Sequence, residues 1–201
     1  TPEAIEIVDQ TLHSEINQEL VETINEFGGR ATSIHGTSVF QATQLTGKNE
    51  SGEEIDIGRV GQVDHCLTED VLYALSTGLV PVVSPLGRHK ESGETHNINA
   101  DLAAAALACA LKPAKLVYLS DVPGLLSDPA DPSSLIESVS GDEARRLIED
   151  GTISGGMIPK ITSALEALKS GVEKVHFIDG RMPHTLLLEI FTKSGIGTEI
   201  R

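Results

Sequence analysis

Apolar residues recur every three or four positions along the first part of the chain, at Ile5, Val8, Leu12, Ile16, Leu20 and Ile24. That spacing draws a stripe down one face of a helix, or of two helices end to end, and Gly28-Gly29 closes it. Ala31-Thr32-Ser33-Ile34 then reads as a short strand. From Gly36 to Gly58 polar positions dominate and apolar ones are scattered, which predicts a loop or hairpin. Thr68-Glu69-Asp70-Val71 has the form of a helix start and Gly78 that of a helix stop. Val80-Pro81-Val82-Val83 reads as a short buried strand.

Beyond this point the pattern alternates. Asp101 to Leu111 is an Ala-rich helix, and Leu116-Val117-Tyr118-Leu119 a strand. Ser140-Gly141-Asp142-Glu143 is a capping box, opening a helix that ends near Gly151. Ile161 to Leu168 is helical up to Gly171, Val175 to Ile178 is a strand, His184 to Phe191 is a helix, and Gly197 to Ile200 is a last strand. Strands alternating with helices predict an α/β fold with a largely parallel sheet and helices on both faces. No repeat or low-complexity linker interrupts it.

Composition narrows the function classes. The chain has 201 residues, 39% of them hydrophobic but only 3% aromatic, so Leu, Ile, Val and Ala must fill the core. Fifteen basic against thirty acidic residues give a formal charge of −15. Such a balance repels nucleic-acid phosphates and anionic lipid, so neither is an expected partner. No apolar run approaches membrane-spanning length, and Thr1-Pro2-Glu3-Ala4 does not open a signal peptide. Cys66 and Cys109 have neither metal-ligand nor disulfide-framework spacing and read as buried thiols in a reducing cytoplasm. The seven histidines show no zinc spacing, so no protein-held metal site is expected.

Three loops carry candidate chemistry, each placed where open α/β sheets bind ligands. In the first, Asn97-Ile98-Asn99-Ala100-Asp101 leads into the Ala-rich helix. One cap needs one such residue, so the others are open to a binding role. The second, Ser120-Asp121-Val122-Pro123-Gly124-Leu125-Leu126, follows an apolar strand. It is either a plain turn or a loop whose backbone approaches a nucleotide. In the third, Gly151-Thr152-Ile153-Ser154-Gly155-Gly156-Met157-Ile158-Pro159-Lys160, paired glycines at a helix start leave N–H groups free to face an anion. Lys160 adds a point charge. There is no Walker pattern and no Gly-x-Ser-x-Gly elbow.

Taken together, these loops resemble the N-acetylglutamate kinase branch of the amino-acid kinase superfamily. Asp56-Ile57-Gly58-Arg59-Val60-Gly61, Pro81 to Gly87, Asp179-Gly180-Arg181-Met182-Pro183-His184 and Gly195-Ile196-Gly197-Thr198 agree with it. The resemblance implies a three-layer αβα sandwich. It places the remainder of an amino-acid-binding and dimerisation lobe at residues 1–96 and an ATP-binding lobe at 97–201. It also implies transfer of the γ-phosphoryl group of ATP, with Mg²⁺, to the side-chain carboxylate of N-acetyl-L-glutamate, an early step of arginine biosynthesis. Lys160 would stabilise the phosphoryl group in flight, and Asp101 would organise the catalytic lysines. Asn97, with Asn99 beside it, would hold the acceptor. Ser120, Asp121, Val122, Pro123, Gly124, Leu125 and Leu126, with Thr152, Ile153, Ser154, Gly155, Gly156 and Met157, would line the nucleotide site. Arginine-inhibited members resemble His184, Glu189 and Gly195, which makes these three a candidate effector site.

The chain also departs from the family pattern. The family's first strand, its Gly-rich, Lys-bearing loop and its Arg-containing acceptor motif do not occur in these residues, and Gly36-Thr37-Ser38-Val39-Phe40 replaces an expected Gly- and Asp-containing turn. The expectation is therefore a homo-oligomeric enzyme when full length, inactive as these residues alone. A non-catalytic arginine or nucleotide sensor and a kinase for carrier-linked aminoadipate remain as alternatives.

Overall fold

The computed structural model describes residues 1–49, 51–128, 130–131, 133–192 and 195–201. The chain forms two compact units, Thr1–Ala110 and Leu111–Arg201.

In the first unit the opening stripe folds as one continuous helix: α1 (Pro2–Asp9), a π-helical segment (Gln10–Asn17) and α2 (Gln18–Glu26). The π winding bonds one residue further along than an α-turn does, and so rotates every later side chain. Ile5 is buried as the stripe predicts, yet Ile16 and Leu20 are 46% and 50% exposed. Asn17 turns inward in their place, 2% exposed, and its Nδ2 donates to the Val82 carbonyl at 2.8 Å. The Gly29 N–H donates back to the Ile24 carbonyl at 2.8 Å, which closes the helix at the predicted glycines.

The strands β1 (Ala31–Ile34) and β4 (Val80–Val83) pair in parallel, residue for residue from Ala31 with Val80 to Ile34 with Val83. Among the described residues they form a two-stranded sheet, so β4 is less enclosed than its composition suggests, and Val80 is 52% exposed. The polar stretch after β1 holds the short helix α3 (Gly36–Val39) and a long hairpin, β2 (Phe40–Lys48) and β3 (Glu54–Cys66). After α4 (Glu69–Ser76) come two four-residue strands that hydrophobic patterning does not mark, β5 (Leu86–His89) and β6 (Thr95–Ile98). They close the hairpin into a barrel of order β2-β3-β6-β5, antiparallel within each hairpin and parallel between them. Four strands leave little interior. A methyl group at Gly87 would lie 2.5 Å from Ile98 Cδ1 and 2.9 Å from Ala42 Cβ, and one at Gly61 would lie 3.2 Å from the same Cβ. At Gly61, Gly87 and Ala42 the room is taken by neighbours such as Ile98, so small residues are what these positions accept. The helix α5 (Ala100–Leu111) follows β6.

The second unit follows the alternating pattern. Its strands β7 (Lys115–Ser120), β8 (Ser138–Val139), β9 (Lys174–Asp179) and β10 (Thr198–Ile200) lie in the order β7-β9-β10-β8. Pairing is parallel except between β9 and β10. The helix α6 (Gly141–Glu149) opens with the expected capping box: Ser140 Oγ accepts from Glu143 N at 3.2 Å, and Glu143 Oε2 accepts from Ser140 N at 2.9 Å. The helix α7 (Met157–Ser170) turns Ile161, Ser163, Ala164 and Ala167 inward and stops at Gly171, whose φ is +112°. Tyr118 stacks on Phe177 with ring centres 4.9 Å apart. Burial of Ile161, Phe177, Ile178 and Ile200 contributes about 1.5–3 kcal/mol per side chain. The last helix is α8 (Thr185–Phe191).

The packing divides the chain at 110/111, where the motifs suggested 96/97. The difference is α5 and the end of β6, which stay with the first unit because β6 is hydrogen-bonded to β3 and β5. Among the described residues no helix is long and apolar enough to cross a membrane.

Candidate functional site

The strands β7 and β9 run parallel and end in register, Ser120 beside Asp179. Carboxyl ends of parallel strands are where α/β sheets bind ligands. Here the Gly180 N–H donates to the Ser120 carbonyl at 2.8 Å, and Ser120 Oγ donates to Asp121 at 3.3 Å. Asp179 accepts from Arg181 Nε at 2.9 Å and Nη2 at 2.7 Å, and from the Arg181 backbone N–H at 2.9 Å. The guanidinium, and then the backbone donor, hold the Asp179 carboxyl down to about 2. Asp179, and to a smaller extent Asp121, stabilise the Arg181 charge.

From Asp121 the chain turns through Gly124, at a φ of +149°, into Leu125 and Leu126. Leu126 bridges to Leu135, and the Ile136 N–H donates to the Leu125 carbonyl at 2.8 Å. Facing this turn is the loop before α7. Its Ile153 is buried, with its N–H bonded to the Leu147 carbonyl at 2.7 Å, while the Thr152 N–H donates to Asp150 at 3.0 Å. Between the two loops lies a cavity of about 200 Å³ lined by Val122, Gly124, Leu125, Leu126, Thr152, Ile153, Ser154 and Met157. All eight belong to the expected nucleotide set. Ser120, Asp121, Pro123, Gly155 and Gly156 flank the cavity without lining it.

The cavity opens beside the start of α7. Gly155 has a φ of +57°, Gly156 occupies the cap position, and no side chain caps this helix. A methyl group at either glycine would meet nothing within 4 Å. The Met157 and Ile158 N–H groups reach back to the Ser154 and Gly155 carbonyls at 3.3 Å each, long bonds at an uncapped helix start of the kind that suits an anion. Lys160 follows on the first turn, half-buried.

The motif 97–101 lies in the first unit and behaves differently. Asn97 is half-buried in β6, opposite Val60 and Leu86. Asn99 Oδ1 accepts from the N–H groups of Asp101 at 3.0 Å and Leu102 at 3.2 Å, so Asn99 caps α5. Asp101 is half-buried in the first turn of that helix.

The candidate effector residues separate as well. Glu189 is buried, and both of its oxygens are engaged: Oε1 with His176 Nδ1 at 2.6 Å, Oε2 with the N–H groups of Ile196 at 2.8 Å and Gly197 at 3.1 Å. Burial opposes its ionisation. The two amides and the imidazole outweigh that, and the carboxyl lies below its ordinary range. Gly195 packs against it, where a methyl group would sit 2.8 Å from Oε2. His184 stands apart at the exposed start of α8, with a φ of +62°. Glu189 and Gly195, without His184, border a polar hollow of about 370 Å³ that also holds Glu137, His176, Glu199 and the cations Lys115, Lys174 and Arg201.

Three residues of motifs that carry the resemblance were given no role by the sequence: Asp179 and Arg181, which lie beside Asp121, and Thr198, whose hydroxyl reaches Leu125 from the last strand. The cysteines are half-buried, less enclosed than their spacing suggested. Burial, with Cys109 close by, still pushes the Cys66 thiol up to about 11. Among the described residues no group of three or more His, Cys, Asp or Glu is arranged to hold a metal ion.

An uncapped helix start beside a largely apolar cavity, near the carboxyl end of a parallel strand, lies where α/β folds place their ligand sites. The Amino acid kinase family model matches residues 1–179, and the chain belongs to that family. Among its relatives, the acetylglutamate kinase of Akkermansia muciniphila is 58% identical over 200 residues, covering the whole of this chain and 67% of that protein. The acetylglutamate kinase of Methanocaldococcus jannaschii is 45% identical over 204 residues, covering 98% of this chain and 68% of its own. Among solved structures, the N-acetylglutamate synthase of Neisseria gonorrhoeae complexed with coenzyme A and L-arginine superposes with a TM-score of 0.72 at 31% identity. The match covers 86% of this chain and 38% of that one.

Proposed function

We propose that this chain carries the nucleotide-binding part of an acetylglutamate kinase, which phosphorylates the side-chain carboxylate of N-acetyl-L-glutamate with ATP in the cytoplasm as a step of arginine biosynthesis. The observation that carries the reading is the cavity of about 200 Å³ between the Val122–Leu126 and Thr152–Met157 loops, opening at the uncapped start of α7. Its apolar wall of Val122, Leu125, Leu126 and Ile153 suits a purine face, and the Gly155-Gly156 backbone suits phosphate. The identity to acetylglutamate kinases across the whole chain supports the choice of acceptor. Mg²⁺ requires no protein cage here, because this ion is held largely by phosphate oxygens and water.

The chemistry asks little of a general base. The attacking carboxylate is ionised at neutral pH, with a reference pKa of about 4.3. What remains is to bring two anions together and to neutralise the charge spreading over the transferred group. Backbone donors at α7 and the Lys160 ammonium supply that neutralisation, and Asn97 holds the acceptor through its carboxamide. The test is ATP-dependent acyl-phosphate formation from N-acetyl-L-glutamate, trapped with hydroxylamine. It is run on residues 1–201 and on the same residues joined to the N-terminal segment of an acetylglutamate kinase relative. Turnover in the joined protein supports the reading, and its absence there rejects the acceptor.

A second reading concerns regulation. The hollow beside Glu189 is bordered by the exposed Glu137 carboxylate, of the kind a guanidinium pairs with, while Glu199 is already paired with Lys174 at 2.7 Å; a synthase structure similar to this chain was solved with L-arginine. Arginine binding there predicts a rise in the unfolding temperature with L-arginine that Glu137→Gln abolishes.

A further inference from the structure

We infer that Thr198 is a positioning residue for the nucleotide, its hydroxyl fixing the Gly124-Leu125 wall of the cavity from behind. The inference rests on the reading of that cavity as a nucleotide site. Thr198 lies in β10, fully buried, and does not line the cavity. Its Oγ1 accepts from the Leu125 N–H at 2.8 Å and donates to the Ile136 carbonyl at 2.7 Å. One hydroxyl thus ties together the turn at Gly124, the segment returning through Ile136 and the last strand.

The fit is tight on both sides. A methyl group at Gly124 would lie 2.5 Å from Thr198 Oγ1, so the loop backbone rests directly on the hydroxyl. Beneath it, β10 cannot yield. A methyl group at Gly197 would lie 2.1 Å from the Phe177 carbonyl, and the Ile196 and Gly197 N–H groups are held by the buried Glu189 carboxylate. The height of the cavity wall is therefore set by a threonine whose own height is set by the core. Valine would fill the same space and pair with neither Leu125 nor Ile136. The turn would then have to move to find other partners for these two groups. Serine would keep both bonds and lose only the methyl.

The test is calorimetric titration of the chain with MgATP, on the wild type, Thr198→Val, Thr198→Ser and, as a core control, Ser163→Ala, with an unfolding temperature for each. Ser163 pairs with Tyr118 at 3.1 Å and donates to the Lys160 carbonyl at 2.9 Å, and it does not line the cavity, so its loss lowers stability without removing a group from the wall. The expected result is affinity reduced about tenfold in Thr198→Val and held within about twofold in Thr198→Ser and Ser163→Ala, one partnerless buried group being enough for such a loss. Equal binding by wild type and Thr198→Val overturns the inference and leaves the nucleotide reading standing. Should Thr198→Val not fold, Thr198→Ser still decides, because a loss of about tenfold there means that packing rather than the hydroxyl sets the wall. Absence of MgATP binding by the wild type removes the nucleotide reading itself and the inference with it.

Discussion

The motif at residues 97–101 and the paired loops at 120–126 and 151–157 are equally rich in the residue types that mark a site, yet the two units use them in different ways. In the first unit, Asn99 is committed to capping α5 through Asp101 and Leu102. In the second unit the loops line a cavity with Val122, Leu125, Leu126, Ile153 and Met157, and positive-φ turns at Gly124 and, beside the cavity, Gly155 shape the two loops. Polar residues next to a helix start can be explained by the helix. Glycines with open space around them, as at Gly155 and Gly156, are not required by the helix they precede.

That contrast is open to attack at several points, the largest effect first. In a catalytically competent protein containing these residues, Lys160→Ala should reduce acyl-phosphate formation by about 10²–10³-fold with the unfolding temperature unchanged, as for removal of a charge-stabilising donor. A parallel loss of stability would make Lys160 structural and erase the distinction between the two units. Next, Gly36→Ala should destabilise the first unit by about 3 kcal/mol in urea unfolding, since its methyl would lie 2.0 Å from the Ser84 carbonyl. Gly156→Ala, with nothing within 4 Å, should leave urea unfolding nearly unchanged and weaken nucleotide binding instead.

Smaller effects sharpen the same comparison. Asn99→Ala should cost about 1 kcal/mol of stability, the ordinary value of a helix cap, and change activity no further than that loss explains. A large fall in acceptor affinity would restore Asn99 to the binding set. The smallest effect is confined to acid. The Asp179 carboxyl, held at about 2 by Arg181, adds stability above its ordinary value of 3.8 and loses it as pH falls toward 2. Asp179→Asn should therefore lower the unfolding temperature at pH 5 and match the wild type near pH 2. An unchanged difference at both pH values would detach the Asp179–Arg181 pair from this role.

Legibility followed how local each signal was. The capping box at Ser140 and Glu143, the stop at Gly171 and the apolar strands β7 and β9 were all readable, because each is determined by a few neighbouring residues. The barrel was not. Its strands β5 and β6 are four residues long and carry Gly87, Arg88, His96 and Asn97, and the pairing that closes the barrel joins them to β2 and β3, far along the chain. The π winding also hid itself, turning Asn17 inward where the apolar period pointed to Ile16 and Leu20. Within the site, the loops stood out by their glycines, whereas Thr198 bonds a residue 73 positions away and nothing beside it in the sequence announces that.

Amide hydrogen exchange of the chain with and without MgATP shows most directly whether the second unit's cavity holds the nucleotide. A nucleotide held there slows exchange at Gly124–Leu126 and Thr152–Met157 and leaves the rest of the second unit little changed. Slowing confined instead to the groove between α6 and α7, around Ile148 and Leu165, would contradict it.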